Sequence, residues 1–230
     1  RISEQTGMAS ASIAEGAYDI LSSIDVSGRQ AIALLNRVTR AAVAGGTDVR
    51  TTVRGVVQIL NAFDLKASKT TQVLDILFQE LRRSTGTFEE LISAWGNVVG
   101  AGKMADQTLE TLAGSIAFLT KRGRTQAQAT ISISRALDQL TRSDTPAKIK
   151  QVLGIDIIDR ATGTYKQLNE IISEFGRRLE DVSATRAQEL MYDIFGAGSI
   201  QANRFFRLAI SGWRDLNREI RKMRVGHASG

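Results

Sequence analysis

The chain has 230 residues, of which 43% are hydrophobic, and a formal net charge of +6, which is enough for one large or two modest domains. It contains no cysteine and one histidine, His227, three residues from the end, so disulfides, thiolate metal sites and histidine-based metal clusters are excluded, and a Ser-His-Asp triad would have to use this residue. No apolar run reaches the roughly 18 residues that a membrane-spanning helix needs.

The two ends of the sequence differ in character. Arg1 is not followed by the charged and apolar regions of a signal peptide, so we expect an internal segment of a longer protein. At the other end, residues 199–230 hold seven arginine or lysine residues against Asp215 and Glu219, a net charge of +5. The basic character therefore belongs to the last predicted helix and not to the whole chain.

Apolar residues spaced three and four apart predict four helices in the first third of the chain, over residues 6–24, 27–45, 48–63 and 68–83. Ser27 and Gln30 have the spacing of a capping box at the start of the second. The third is rich in valine, a mediocre helix former, but its valines follow helical spacing and not the alternation of a strand.

Residues 87–154 predict further short helices. Thr87 with Glu90, and Thr125 with Gln128, have the spacing of capping boxes. Pro146 follows Thr145 at the first position of a short helix, where proline is tolerated. Glycines end most of these helices, and no residue of the stretch forms a catalytic pattern. The stretch is therefore interpreted as a helix-packing body.

The sequence changes after residue 154. Residues 155–159 are rich in isoleucine, and residues 161–163 carry a turn signal, so residues 155–163 form either a small β-hairpin or an irregular loop. Thr164 and Gln167 predict the cap of a further helix. Ser183 opens the next helix, which ends at Gly196.

The last predicted helix, over residues 199–224, has apolar residues at the alternating four and three spacing of a coiled coil. This predicted seam consists of Ala202, Phe206, Ala209, Trp213, Leu216, Ile220 and Met223. We expect the seam to join copies of the chain or to lead into a coiled coil. Gly212 is a weak point in the middle of the helix.

An arginine stripe lies on the side of that helix away from the seam. It consists of Arg204, Arg207, Arg214, Arg218 and Arg221. Three interpretations are open: a solvated outer face, a contact surface for acidic partner proteins, and a surface that faces nucleic acid. Because no exposed aromatic residues are interleaved with the arginines, the first two interpretations are favoured.

No catalytic, cofactor-binding or metal-binding site is predicted. Residues 100–103 have a Gly-Lys ending, but the residues around them do not match a phosphate-binding loop and no strand precedes them. Glu90 is explained as a capping residue, and the other carboxylate pairs are interpreted as solvated surface. We therefore expect a protein that is not an enzyme and uses no cofactor.

Together these patterns predict an all-α fold, a bundle of about nine to eleven mostly short amphipathic helices. We expect a helical core domain over residues 1–198. A basic amphipathic helix over residues 199–230 would follow it as a coiled-coil or oligomerisation segment.

The order of the segments resembles the conserved core of bacteriophage tail tape-measure proteins. The resemblance covers roughly residues 6–208 and lies in the order and spacing of many short segments. They are Thr6-Gly7-Met8, Ala17-Tyr18-Asp19-Ile20, residues 41–48, Ile59 to Phe63, residues 73–78, Phe88 to Leu91, Ala117 to Gly123, Leu153-Gly154-Ile155 and Ile194-Phe195-Gly196. The sequence departs from the family at Phe63-Asp64, where Tyr-Gly is more frequent.

The resemblance implies a virion structural protein of a tailed phage, assembled in the host cytoplasm. Tape-measure proteins occupy the tail lumen as several copies, set tail length, engage the tail-tip or baseplate hub and the tail-tube proteins, and leave ahead of the DNA at ejection. The family favours a homo-oligomer, a trimer or a hexamer. Transient contact with DNA or the host membrane is a further expectation.

Two other functions are compatible with the sequence. A helical protein could contact nucleic acid through the arginine stripe, in which case binding would weaken steeply with salt. A membrane-active helical domain could open and insert its amphipathic helices into a bilayer.

Overall fold

Fourteen α-helices make up the fold in the computed structural model, which describes residues 2–196 and 200–225. In chain order they are α1 (Ile2–Thr6), α2 (Ser10–Ser23), α3 (Gly28–Gly45), α4 (Val49–Ala62), α5 (Thr70–Leu81), α6 (Phe88–Ala94), α7 (Val99–Met104), α8 (Leu109–Thr120), α9 (Gln126–Leu140), α10 (Thr145–Leu153), α11 (Leu168–Arg178), α12 (Ala184–Phe195), α13 (Ile200–Ser211) and α14 (Trp213–Val225). No strand occurs within the described ranges, so the predicted all-α class is confirmed.

The helices outnumber the predicted nine to eleven because local backbone features divide two of the predicted segments and a short helix, α1, precedes the first one. Gly7 has a φ of 69° and separates α1 from α2. The 3-10 turn Trp95–Asn97 separates α6 from α7. Gly212 stands between α13 and α14, so the single long helix predicted over residues 199–224 is wrong.

Helix caps are formed as predicted at three of the four capping sites. Ser27, Thr87 and Thr125 each accept a hydrogen bond from the backbone N–H three residues later, and each cap is completed by the reciprocal glutamine or glutamate. The predicted cap at Thr164 is wrong. Helix α11 begins at Leu168, because Thr164 lies in the turn that precedes it.

Residues 155–167 form an irregular loop with a single antiparallel bridge. Ile158 and Tyr165 are paired, and the flanking hydrogen bonds run from Asp159 N–H to the Thr164 carbonyl and from Lys166 N–H to the Ile157 carbonyl, both 2.9 Å. Of the two alternatives for residues 155–163, the structure therefore has the loop, closed by one hairpin-like contact.

Helix α8 lies at the centre of the core. All of its residues except Glu110 are buried, as expected for a helix with neighbours on every side. It packs against α5, α9 and α14. Its buried polar side chains have partners: the Ser115 hydroxyl donates to the Thr111 carbonyl at 2.7 Å, and that of Thr120 donates to the Ala117 carbonyl at 3.1 Å.

Around α8, the first half of the chain forms one group of helices. Helices α2, α3 and α4 pack against one another, and α4 also contacts α5, α6 and α7. Asp64, directly after α4, has a φ of 52°. That backbone conformation favours glycine.

The last two helices complete this core. Helix α13 packs against α9 and α11, and α14 packs against α8 and α11. Their buried side chains belong to the same hydrophobic cluster as those of the first 196 residues. The predicted division between a core domain over 1–198 and a separate segment over 199–230 therefore does not appear as a break in the core of the described residues.

Candidate functional site

The predicted seam lies inside the chain's own core. Six of its seven residues are buried, at 0 or 1% exposure, and Trp213 is half-buried. The six buried residues are Ala202, Phe206, Ala209, Leu216, Ile220 and Met223. In this fold these side chains are covered by α8, α9 and α11, so a contact between copies through the seam requires α13 and α14 to leave the core.

Ion pairs hold α14 against the end of α8. Lys121 Nζ lies 2.8 Å from a carboxylate oxygen of Glu219, and Arg122 lies 2.9 Å from Asp215. Burial alone would raise the pKa of Glu219, but the hydrogen bonds and charges of Lys121 and Lys222 outweigh it, so that the pKa lies below its ordinary value. Glu219 is therefore ionised at neutral pH and pairs with α8.

The arginine stripe is divided between two surfaces. Arg204, Arg207 and Arg214 line a cleft, whereas Arg218 and Arg221 lie farther along α14 and are not among its lining residues. All five are exposed. The division falls within α14, between Arg214 at the start of this helix and Arg218 one turn farther on.

This cleft has a volume of about 920 Å³ and opens between α11, α12, α13 and the start of α14. Its floor is apolar and is made largely of half-buried side chains. They are Val182, Ala187, Met191, Leu208, Ile210 and Trp213. The cleft exists because α12 packs mainly against α10, so the face of α12 towards α13 is left largely uncovered.

Arginine side chains form the rim of the cleft. Arg204 and Arg207 come from α13, Arg214 from α14, and Arg124 from the loop between α8 and α9. Glu180 is the only acidic residue among the described residues that line the cleft, and it is paired with Arg214 at 2.6 Å. The guanidinium groups of Arg124, Arg204 and Arg207 have no ion pair among the described residues.

Trp213 joins the floor to the rim. The Arg214 guanidinium lies 4.7 Å from the centre of its indole, and that of Arg177 lies 5.5 Å from it. Its other side lies so close to Gly176 that a β-carbon there would overlap the indole. Trp213, which the sequence places on the seam, is thus held at the edge of the cleft.

The sequence analysis did not identify the cleft. One signal was available: α12 has apolar residues at helical spacing, yet only Ile194 and Phe195 of this helix are buried. Ala187, Leu190 and Met191 stay half-buried. Periodicity marks such a face as apolar, but it cannot show that no helix of the chain covers it.

A buried carboxylate elsewhere was also missed. Glu80 on α5 is fully buried and accepts a hydrogen bond of 2.8 Å from Trp95 Nε1. Burial raises the pKa of Glu80 well above its ordinary value, against the smaller opposing effect of the Trp95 hydrogen bond. Glu80 does not line the cleft, so it is a structural group of the core.

The described residues show what the chain offers towards a metal site, a carboxylate site or a membrane span. No group of three or more His, Cys, Asp or Glu side chains within residues 2–196 and 200–225 could hold a metal ion. Glu90 is used in the cap of α6, where it accepts from Thr87 N–H at 2.9 Å. No helix in the same ranges is long and apolar enough to cross a membrane. What the cleft offers is an apolar floor with a basic rim.

Two comparisons with known proteins both find phage tail proteins. The family model described as phage-related minor tail protein matches residues 1–196. A probable tape measure protein of Clostridium phage phiCD119 is 28% identical over 221 residues, which are 92% of this chain and 23% of that relative. The chain thus spans about a quarter of the length of the curated relative. No solved structure matches it.

Proposed function

The chain belongs to the family of phage-related minor tail proteins, and we propose that it is a structural segment of a tape-measure protein in a tailed phage. The full protein would occupy the tail lumen, set tail length, engage the tail tip and leave at DNA ejection. The observation that carries the proposal is the match over residues 1–196, together with the similarity to a probable tape measure protein. The segment acts by binding and packing and not by catalysis.

Within that protein, this segment would act as a folded body and not as the ruler itself. A single helix rises 1.5 Å per residue, so 230 residues in one helix would span roughly 345 Å. A folded domain of this size has a radius of gyration of about 17 Å. Because the fold is a packed core of fourteen described helices, length would come from other parts of the protein, and this body would anchor them.

The proposed partners are further copies of the chain, as a trimer or a hexamer, and the tail-tip hub and tail-tube proteins. The buried seam cannot join the copies in this fold. Association would therefore use the exposed surface, or a state in which α13 and α14 have detached and pair as a coiled coil.

Tail lengths of phages with altered genes test the proposal. In-frame removal of 100 helical residues outside this segment should shorten the tail by about 150 Å. Removal of this segment should instead give particles with missing or defective tail tips. Tails of normal length and normal infectivity after its removal would refute the structural role.

Nucleic-acid contact is the second candidate, favoured by the unpaired rim arginines. A titration of duplex DNA at several salt concentrations tests it, because each phosphate contact adds about 0.9 to the negative slope of log affinity against log salt. Two members of the arginine stripe, Arg214 and Arg218, are already paired with Glu180 and Asp215, so we expect a shallow slope. Membrane activity is tested by leakage from liposomes.

A further inference from the structure

We propose that the cleft between α12 and α13 binds an acidic amphipathic helix of a separate tail protein. This inference rests on the proposed function and deepens it, because it gives the chemistry of one tail partner.

The floor suits the apolar face of a helix. Its aliphatic residues and methionine leave an apolar surface open between two helices, the geometry in which amphipathic helices bind through side chains at positions i, i+3 or i+4, and i+7. Met191 is unbranched and can adapt to the shape of the incoming side chains. Trp213, held in place by Gly176 and two arginines, provides a rigid anchor.

The rim defines the charge of the partner. Arg204 and Arg207 stand one turn apart on α13, and Arg124 lies among the lining residues from another loop. Since these three have no ion pair within the described residues, their guanidinium groups are available to carboxylates. Arginine binds carboxylates through two parallel hydrogen bonds. A helix with Asp or Glu on both sides of its apolar face fits such a rim.

A second copy of the chain fits less well. Among its exposed apolar residues, Tyr18 and Leu21 lie three positions apart on one helix, α2, at 73 and 57% exposure. The neighbouring carboxylates on α2 already have partners, because Glu15 pairs with Arg50 at 3.2 Å and Asp19 with Arg54 at 3.0 Å. The described surface of α2 thus offers an apolar face with little free negative charge.

Nucleic acid also fits less well than a helix. A duplex would bring phosphates to the rim, but its sugar–phosphate backbone has no apolar face to cover the floor. A protein helix satisfies both features at once: its apolar side chains cover the floor, and its carboxylates pair with the arginines. The observations therefore favour protein over nucleic acid.

Selection from a peptide library tests the proposal. The probe is a displayed library of 18-residue amphipathic helices whose apolar positions vary among Leu, Ile, Met and Phe. The positions on both sides of the apolar face encode Glu or Lys with equal frequency. Selection is carried out on the chain itself, and the affinity of the best peptide is then measured from the change in tryptophan fluorescence or by calorimetry.

Charge-changing variants test whether the selected peptides bind at the cleft. Arg204→Glu with Arg207→Glu reverses the rim of the cleft. Arg37→Glu with Arg40→Glu makes the same charge change at the same spacing on α3, where both arginines are exposed and have no ion pair within the described residues. The neutral pair Arg204→Gln and Arg207→Gln provides a second test in case the reversed rim fails to fold, which circular dichroism would report.

The expected result is enrichment of Glu over Lys beside the apolar face. Affinity should fall about tenfold or more on reversal of the rim, and less than about twofold in the α3 variant. Absence of enriched peptides, equal use of Glu and Lys, or an unchanged affinity after rim reversal would each refute the proposal. So would duplex DNA that binds more tightly than the best peptide and depends on Arg204 and Arg207.

The binding test does not depend on the phage experiment. If tails are defective without this segment but no acidic helix binds, the proposed function stands and the partner inference fails. If acidic helices bind but tails are normal without the segment, the cleft is a binding site whose role lies outside tail assembly.

Discussion

The α-carbon of Gly114 on α8 faces the backbone of Ile220 on α14. A β-carbon at position 114 would lie 2.6 Å from the Ile220 α-carbon and 2.8 Å from its amide nitrogen. These neighbours are main-chain atoms, which cannot rotate away as a side chain could. The close approach lets α14 lie directly on the central helix and bury Leu216, Ile220 and Met223.

Gly114→Ala should destabilise the fold by about 1–3 kcal/mol or more, because the added methyl group forces α8 and α14 apart. Urea unfolding followed by circular dichroism measures the effect. The matched control is Gly100→Ala on α7, where a β-carbon meets nothing within 4 Å. This substitution should be neutral or slightly stabilising, since alanine favours a helix. Equal stability of the two variants would contradict the helix contact.

Lys121→Met should lower stability by about 1–2 kcal/mol at neutral pH, because the buried Glu219 carboxylate loses its nearest partner. The pKa of Glu219 is lowered in the fold, so the ionised carboxylate adds to the stability of the fold at pH values above the pKa that Glu219 has in the unfolded chain. This contribution is lost as the pH falls through the folded value. The difference between wild type and variant should therefore shrink in acid. The control Lys148→Met, which breaks an exposed pair with Asp144, should have no measurable effect.

Glu80→Gln should stabilise the protein at neutral pH and remove part of its pH dependence. Burial raises the pKa of Glu80 above its ordinary value of 4.5. The folded wild type therefore binds this proton more tightly than the unfolded chain does, and the resulting stability is fully present below the ordinary value. It loses this stability as the pH rises through the folded pKa. Each unit of difference between the folded and unfolded pKa changes the free energy of unfolding by about 1.4 kcal/mol. Urea unfolding at pH 5 and pH 8 measures it.

The control for that substitution is Glu89→Gln, which changes an exposed carboxylate on α6 and should alter the pH profile less than Glu80→Gln does. An identical pH profile for Glu80→Gln and wild type would show that the Glu80 carboxyl titrates normally. The pH dependence of the core would then have another origin.

Ending the chain after residue 198 should abolish cooperative unfolding. Without α13 and α14, the buried faces of α8 and α9 become exposed, and Phe206, Leu216, Ile220 and Met223 are lost from the core. At roughly 1.5–3 kcal/mol for each such side chain, the loss amounts to about 6–12 kcal/mol, which is comparable to the whole stability of a typical domain. Thermal unfolding by calorimetry measures it.

A peptide of residues 199–225 added to the shortened chain should restore the cooperative transition, which controls for simple misfolding. If the shortened chain unfolds cooperatively by itself, the predicted division at residue 198 is a real domain boundary. Sedimentation of the intact chain then shows whether α13 and α14 also join copies.

Much of the local structure could be predicted because its causes are local. The capping boxes at Ser27, Thr87 and Thr125 are confirmed, since each depends on hydrogen bonds within four residues. The cap at Thr164 failed for a long-range reason. The Gln167 side chain donates to the Asp106 carbonyl at 2.7 Å, and Tyr165 N–H donates to the Asp106 carboxylate at 2.9 Å. These contacts keep residues 164–167 out of the helix.

The sequence by itself determined the all-α class, most helix positions and the apolar faces, because helical periodicity and capping act over a few residues. Only the tertiary structure decided which faces meet. An apolar stripe such as Ala202 to Met223 fits a second copy or the chain's own core equally well until α8 is placed against it. In the same way, the position of α12 places three members of the arginine stripe, Arg204, Arg207 and Arg214, on the rim of a cleft. Contacts between distant residues decide such arrangements, and no short stretch of sequence contains them.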